Sequence, residues 1–235
     1  MNAIGLKDRL YDIKGSFNVR DLGGYKGRDG KTVRYRRFIR AGSLMGLTPE
    51  GRQELLELGV SCVVDFRSRY ELSVMPDPIM GDEAFDWHHI PMLDYINSNR
   101  EGSPVFPDSL EEMYTGMLAE AKEGFKKFFA LCADSAHGCF LYHCTAGKDR
   151  TGVASMLLLS LAGVTEDDII EDYAHSEKLL PDFGKGPPHL HRSPPEVMEH
   201  VLSHLDHRYG GPAGYLDRIG VTPSQREAVT AKLIG

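Results

Sequence analysis

The residues best suited to do chemistry lie together just past the middle of the chain. Cys139–His143 has the apolar character of a buried strand, and Val153–Ala162 that of a buried helix. Between them stands Cys144-Thr-Ala-Gly-Lys-Asp-Arg150, in which five residues separate a sulfur nucleophile from a guanidinium group. A chain that turns from strand into helix here directs backbone N–H groups into the turn, and the helix N-terminus adds its positive end. The pattern predicts a loop that holds a phosphate dianion beside a cysteine.

The residue types in this loop suit phosphoryl transfer. We expect Cys144 to be held as the thiolate at neutral pH, because it faces the positive end of the turn. The planar fork of Arg150 can hold two phosphoryl oxygens at once, which a lysine cannot do. Gly147 and Gly152 would let the backbone curl tightly. Phosphoryl transfer needs mainly in-line positioning and charge stabilisation, and such a loop supplies both.

The run His-Cys-x5-Arg-Thr-Gly at 143–152 resembles the signature loop of the cysteine-dependent tyrosine phosphatase superfamily. Its Gly-Lys-Asp-Arg-Thr form at 147–151 is similar to the atypical bacterial branch, which includes phosphotyrosine and phosphoinositide phosphatases. Two further blocks resemble the same branch: Phe-Asn-Val-Arg-Asp-Leu-Gly-Gly-Tyr at 17–25 with Arg-Ala-Gly-Ser-Leu at 40–44, and Val-Val-Asp-Phe-Arg-Ser at 63–68. The resemblance implies a phosphatase that needs no metal or other cofactor.

The resemblance also implies a role for each residue of the loop. Cys144 would be the nucleophile and would form a phosphocysteine intermediate. Arg150 would bind the phosphate and stabilise the transition state, and the Thr151 hydroxyl would ease departure of the sulfur. His143 would orient the loop rather than transfer protons. The remaining residues of the phosphate-binding loop would be Thr145, Ala146, Gly147 and Lys148, of which Lys148 would add positive charge beside the substrate.

The general acid has three candidates. A leaving oxygen needs a proton from a carboxyl group within about 3 Å, or through one water molecule. In the branch that this chain resembles, the loop aspartate has this role, which favours Asp149. Asp108 precedes the cysteine at about the distance where many superfamily members carry the acid on a separate loop, and Asp94 lies further upstream. Asp108 also fits an ordinary turn before a helix, so Asp149 is the preferred assignment.

Two residues of the predicted strand 60–66 also concern the site. Asp65 lies at the carboxyl end of the strand, where ligands bind in open α/β sheets. It is expected either to brace Arg150 by an ion pair or to form hydrogen bonds within its own turn. Cys62 lies earlier on the same strand and would protect an oxidised Cys144 as a disulfide, provided that the two residues are close.

The alternation of strands and helices predicts an α/β fold with a mainly parallel sheet flanked by helices, which the resemblance makes tyrosine-phosphatase-like. We expect one domain over residues 1–235, in which residues 181–235 form a helical extension that is either a lid or a plain helical layer. The patterns predict a hairpin over 25–40 and strands over 60–66 and 85–90. They predict helices over 49–58, 109–134, 165 to about 181, 196–208 and 222–233, and the second of these is expected to be broken near Gly124.

Composition limits the remaining possibilities. A chain of 235 residues with 41% hydrophobic residues can bury one substantial core. Its net charge of −7 argues against nucleic acid as a partner, and no apolar stretch is long enough for an integral membrane segment. Its four cysteines follow no metal or disulfide spacing, which favours a reducing, cytoplasmic location, with non-classical secretion as the alternative. The sequence predicts no oligomeric state.

The favoured function is hydrolysis of phosphate monoesters, with phosphotyrosine as the first candidate substrate. Phosphoserine, phosphothreonine and phosphoinositides are further candidates, so the partner is a phosphorylated protein or a phospholipid or inositol phosphate. A main role on phosphoinositides or inositol phosphates is the alternative. Three other classes are less favoured: a rhodanese-like sulfurtransferase, a phosphate-reading binding protein and a metal-dependent phosphoesterase. The last would use His200, His204 and His207, which lack an accompanying acidic ligand set.

Overall fold

The central element is a sheet of five strands in the order β1-β2-β5-β3-β4, within the residues that the structure describes. The structure is a computed structural model and describes residues 5–93, 109–182 and 192–235. β2, β5, β3 and β4 are parallel, and only β1 is antiparallel to its neighbour. The sheet therefore confirms the predicted α/β class. The strands are β1 Arg20–Asp21, β2 Phe38–Ala41, β3 Val60–Asp65, β4 Asp86–His89 and β5 Cys139–His143.

Helices cover the sheet, and several of them begin at the capping residues that the sequence marks. The side chains of Thr48, Ser109 and Thr165 each accept a hydrogen bond from a backbone N–H of the helix that follows. Among the described helices, none combines the length and apolar character needed to cross a membrane. The helices are α1 Pro49–Glu57, α2 Arg69–Val74, α3 Leu110–Glu120, α4 Lys122–Ala133, α5 Asp149–Ala162, α6 Glu166–Ala174, α7 Ser176–Leu179, α8 Pro195–Tyr209, α9 Pro212–Arg218 and α10 Pro223–Ile234.

The central strand β5 is buried on both faces. Phe140 and Tyr142 belong to the larger core, which includes residues of α3, α4, α5 and the C-terminal helices. Leu141 faces the opposite side, where Leu55 of α1 also packs. A parallel strand with both faces covered has a nearly continuous run of apolar residues, which explains why β5 could be predicted from the sequence. The C-terminal helices α8 and α10 pack against α3, α4, α5 and α6 as a helical layer.

Three sequence-based expectations about the elements need correction. The hairpin over 25–40 is reduced to a single antiparallel bridge, Lys26–Thr32, because β2 pairs with β1 on one side and β5 on the other. The helix from 109 to 134 is interrupted at Ala121 rather than at Gly124, which lies inside α4. The short helices α2 and α9 were not predicted from the sequence.

The predicted protective disulfide between Cys62 and Cys144 is wrong. β3 and β5 are neighbours, but Cys62 lies opposite Phe140, four residues before Cys144. At about 3.3 Å per residue this offset is about 13 Å. A disulfide requires Cα atoms within about 7 Å. Both cysteines are free.

Candidate active site

The cysteine of the loop lies at the carboxyl end of the central strand. β5 ends at His143, Cys144 follows directly, and its side chain is buried. Helix α5 then begins at Asp149 rather than at Val153 as the apolar pattern predicts. Arg150 therefore belongs to the first helical turn, where backbone N–H groups have no partner inside the helix. The strand–loop–helix arrangement is the one that the sequence predicts for anion binding.

The carbonyl groups of the loop are held from outside. Asn18 Nδ2 donates to the carbonyls of Ala146 (3.0 Å) and Gly147 (3.2 Å), and Arg40 Nη2 donates to Gly147 (2.8 Å). Within one peptide group the N–H points opposite to the C=O. Because the carbonyls of Ala146 and Gly147 point outward, the N–H groups of Gly147 and Lys148 point into the loop. Gly147 has φ +68°, and a Cβ there would lie 2.3 Å from the carbonyl oxygen of Ala41. This position requires glycine, and its conformation produces the nest of amides.

A buried cluster of charged side chains supports the loop from behind. Asp172 of α6 is within 3.2 Å of Arg9, 3.1 Å of Arg20 and 2.5 Å of Arg40. Burial alone would raise the pKa of Asp172, but the three guanidinium groups outweigh it and hold that pKa well below its usual range. Three cations and one anion leave excess positive charge behind the loop, which favours a bound anion such as phosphate.

The guanidinium of Arg150 is held by Glu71 of α2. Arg150 Nη1 lies 2.6 Å from Glu71 Oε2, and Nη2 lies 2.8 Å from Oε1. Burial opposes ionisation of Glu71, but the charge of Arg150 and the hydrogen bonds around it hold the pKa of Glu71 well below its usual range. This end-on pair uses one hydrogen on each terminal nitrogen. Among the described residues, Nε and the second Nη2 hydrogen have no partner, so they can form a side-on pair with a phosphate.

Glu71 also ties α2 to the loop. Its backbone N–H donates to Ser68 Oγ (3.1 Å), and its carboxylate accepts from the Ser68 N–H (2.7 Å), which forms a capping box. The hydroxyl of Thr145 donates to the same carboxylate. Glu71 was not predicted from the sequence, although the pattern Ser68-Arg69-Tyr70-Glu71 is the signal of a capping box and indicates a helix start.

Of the two expected roles of Asp65, the structure shows hydrogen bonds within its own turn and not the ion pair with Arg150. Its carboxylate accepts from the backbone N–H of Arg67 (2.8 Å) and from the Arg67 side chain, with Nη2 at 2.8 Å. Asp65 is at the carboxyl edge of the sheet as predicted, but a partner two residues away satisfies it. Arg67 also contacts Asp77 (2.6 Å), so these fully buried groups form a network beneath the loop.

His143 occupies the position expected of an orienting residue. Its Nδ1 lies 3.2 Å from the carbonyl oxygen of Cys144, and its Nε2 lies 3.0 Å from Asp77 Oδ2. Burial would lower the pKa of His143, but the carboxylates of Asp65 and Asp77 outweigh it and raise that pKa. The ring is thus fixed between a carboxylate and the peptide that carries the nucleophile.

Asp149 lies in the first turn of α5, next to Arg150. Tyr114 Oη donates to Asp149 Oδ1 (2.7 Å), and Lys148 Nζ lies 3.3 Å from the same oxygen. The Asp149 side chain is 23% exposed, so it is accessible from the surface. Lys148 itself is buried and donates to the carbonyl of Arg192 (2.7 Å). The positive charge of Lys148 lies beside Asp149, the candidate general acid.

The other two candidates for the general acid, Asp94 and Asp108, lie outside the described residues.

The remaining loop residue, Thr151, is buried in α5. Its Oγ1 atom has no hydrogen-bond partner in the described part of the chain. Gly152 was expected to lie in a tight turn, and this expectation is wrong. It lies within α5, where a Cβ would come 3.4 Å from the ring of Tyr173.

The contact between Glu71 and Arg150 can be tested by the change Glu71→Gln. An amide keeps the size of the side chain but cannot accept from both terminal nitrogens of Arg150, so the guanidinium loses its fixed orientation. We expect kcat/KM for p-nitrophenyl phosphate to fall by about 10- to 100-fold, as small misplacements of a binding group do. The matched control is Glu57→Gln on the exposed face of α1, which should leave kcat/KM unchanged. Equal activities of the two variants would show that Glu71 does not position Arg150.

Known proteins resemble this chain over most of its length. The tyrosine phosphatase family matches residues 11–235. A tyrosine-protein phosphatase of Nostoc commune is 34% identical over 216 residues, which cover 83% of this chain and 74% of that protein. A putative tyrosine-protein phosphatase of Cupriavidus necator is 34% identical over 176 residues, covering 72% and 63% of the two chains. The triple specificity protein phosphatase PtpB of Mycobacterium tuberculosis is 24% identical over 200 residues, covering 73% and 71%.

The match over residues 11–235 includes both the nucleophile loop and the N-terminal residues that hold it from behind. The chain belongs to the tyrosine phosphatase family and is a phosphoric monoester hydrolase that acts on a phosphorylated substrate.

Proposed function

We propose that this protein hydrolyses phosphate monoesters through a phosphocysteine intermediate on Cys144. The observation that carries the proposal is the position of Arg150. Its terminal nitrogens are fixed end-on by Glu71, so its side-on edge is available for two phosphoryl oxygens. The amides of the loop supply further donors around the same anion.

The reaction would proceed in two displacements. In the first, the sulfur of Cys144 attacks phosphorus, the P–O ester bond breaks, and the leaving oxygen takes a proton from Asp149. In the second, water attacks the phosphocysteine and gives a proton to Asp149, while the S–P bond breaks and inorganic phosphate is released. The buried hydroxyl of Thr151 would donate to the departing sulfur, which is consistent with the absence of another partner for it among the described residues.

Phosphotyrosine is the substrate class that we favour. The relatives from Nostoc commune and Cupriavidus necator bear the name of tyrosine-protein phosphatases. The name of the mycobacterial relative indicates three specificities, which supports activity on further phosphate monoesters as a second possibility. The charge of Lys148 would favour a more highly charged substrate such as a phosphoinositide, but Lys148 is buried and donates to the Arg192 carbonyl, which weakens that case. Family membership argues against a sulfurtransferase and against a binding protein without turnover.

Kinetics on matched substrates would decide the substrate class. We expect kcat/KM for a phosphotyrosine peptide to exceed that for the same peptide with phosphothreonine by at least about tenfold, and to exceed that for a short-chain phosphoinositide. The Cys144→Ser protein serves as the blank for contaminating phosphatases. A phosphoinositide rate above the phosphotyrosine rate would reject the assignment and favour the alternative role.

The role of Asp149 can be tested through its dependence on the leaving group. A general acid matters most when the leaving oxygen is basic, so Asp149→Asn should lower kcat/KM for phenyl phosphate, which reports the steps up to the phosphocysteine, by about 100- to 10,000-fold. The loss for p-nitrophenyl phosphate, whose leaving group needs little help, should be much smaller. Asp108→Asn and Asp94→Asn are the comparison variants. The assignment fails if one of those variants, rather than Asp149→Asn, shows the dependence on the leaving group.

A further inference from the structure

A second group of chemically versatile side chains lies toward the amino ends of the strands, away from the Cys144 loop. It consists of Cys62, Asp86, His88 and His137, and one ligand atom from each lies within 4.8 Å of the ligand atoms of the others. The histidines of α8 that the sequence analysis considered are not part of this group. Thiolate, imidazole and carboxylate are the side-chain groups that bind zinc in proteins.

The pairing of β3 with β4 explains why three of these residues meet. Cys62 lies opposite Asp86, and Val64 lies opposite His88, in parallel register. Since side chains alternate between the faces of a sheet, Cys62, Asp86 and His88 share one face. The fourth residue, His137, comes from the connection between α4 and β5. The ligands therefore come from three separate segments, which is why their spacing gives no metal motif in the sequence.

Neighbouring residues fix His137 in this position. Its ring packs edge-on against Phe140 (5.6 Å between ring centres) and against His88 (6.4 Å). Lys232 of α10 donates to its backbone carbonyl (3.0 Å), which ties the connection to the C-terminal helix. Cys62 is fully buried on the central part of the sheet. Ligands held in this way by packing are preorganised for a metal ion.

The contacts around Asp86 bring two imidazole nitrogens to one carboxylate oxygen. His88 Nε2 and His137 Nε2 lie 2.8 Å and 3.1 Å from the same oxygen, Asp86 Oδ2. The buried His88 Nε2 is within ion-pair distance of Asp86 Oδ2, but the pair does not have the geometry of a hydrogen bond. Two imidazole nitrogens that converge on one carboxylate oxygen would both be satisfied by a metal ion bound between them.

We propose that Cys62, Asp86, His88 and His137 bind one zinc ion. One thiolate, two imidazoles and one carboxylate form a tetrahedral set, with bonds of about 2.0 to 2.3 Å. Binding would release the proton of the Cys62 thiol to solvent. Asp86 is 49% exposed, so its side chain can move to admit the ion. The site lies about 10 Å or more along the strands from the Cys144 loop, so the ion would join β3, β4 and the α4–β5 connection and stabilise the fold.

Cobalt titration of the metal-free full-length chain tests the proposal. The Cys144→Ser variant is used throughout, because the thiolate of the phosphatase loop could itself bind cobalt. We expect about one Co²⁺ per chain, the visible bands of a tetrahedral site and a thiolate-to-cobalt charge-transfer band in the near ultraviolet. The further change Cys62→Ser should remove the charge-transfer band. His137→Ala should weaken binding by at least about tenfold.

Two controls and a stability measurement complete the test. Cys139→Ser, at a buried cysteine on the other face of the sheet, and His207→Ala, on the exposed face of α8, should leave the cobalt spectrum unchanged. Zn²⁺ should raise the thermal unfolding midpoint of the Cys144→Ser chain but not that of the folded Cys144→Ser chain that also carries His137→Ala. The proposal is overturned if no cobalt binds, or if the charge-transfer band survives Cys62→Ser. Equal zinc stabilisation in the His137→Ala variant would also overturn it.

Discussion

The Cys144→Ser variant is expected to lose turnover almost completely. A serine hydroxyl stays protonated near neutral pH, so the positive loop has no anionic nucleophile to stabilise. Removal of a catalytic nucleophile commonly costs several orders of magnitude, and we expect kcat with p-nitrophenyl phosphate to fall by at least about 10,000-fold. The affinity for orthophosphate as a product inhibitor should change little, because Arg150 and the loop amides are unaltered.

Cys139→Ser is the matched control for this change. Cys139 begins the strand that ends directly before Cys144, is also buried and is also a free thiol, but its side chain faces the other side of the sheet. Its kcat should stay within about threefold of that of the parent chain. Comparable activities of Cys139→Ser and Cys144→Ser would remove Cys144 from the reaction.

The Arg150→Lys variant is expected to show the second largest loss. A lysine keeps the charge, but one ammonium group cannot make the end-on pair with Glu71 and hold two phosphoryl oxygens at the same time. Loss of one donor that stabilises the transition state costs about 100- to 1,000-fold in kcat. We expect a loss of at least that size in kcat/KM, together with weaker inhibition by orthophosphate.

The surface residue Arg36 provides the control for the arginine-to-lysine change. Its side chain is exposed, and the Arg36→Lys variant should retain full activity. Circular dichroism of both variants would establish that each is folded. An Arg150→Lys protein with kcat/KM within about threefold of the parent value would show that a bidentate contact is not needed, contrary to the geometry of the loop.

The loop could be predicted from the sequence because its parts are consecutive. The strand, the turn and the helix that form it lie between Cys139 and Ala162, so local pattern and residue type are sufficient. The start of α5 was placed too late for a physical reason. The first turn is polar because Asp149 and Arg150 face the site, and an apolar pattern cannot detect a helical turn of that kind.

The residues that support the loop were harder to predict. Glu71 is 79 positions from Arg150, and Asp172 is 132 positions from Arg40, so no local pattern joins either pair. The choice between the two expected roles of Asp65 could not be made from the sequence. Its place at the edge of the sheet was predicted correctly, but the guanidinium of Arg67, two residues along, satisfies it before Arg150 can. Topology predicts which residues share an edge, whereas their pairing depends on side-chain positions.

The covalent intermediate is the central claim, and rapid-quench labelling tests it most directly. The parent enzyme is mixed with excess substrate carrying labelled phosphate, quenched in denaturant within one turnover, digested and analysed by mass spectrometry. We expect phosphate on the peptide that contains Cys144, formed at a rate no slower than kcat and absent from the Cys144→Ser protein. Release of inorganic phosphate with no label on Cys144, or with label on another residue, would contradict the mechanism.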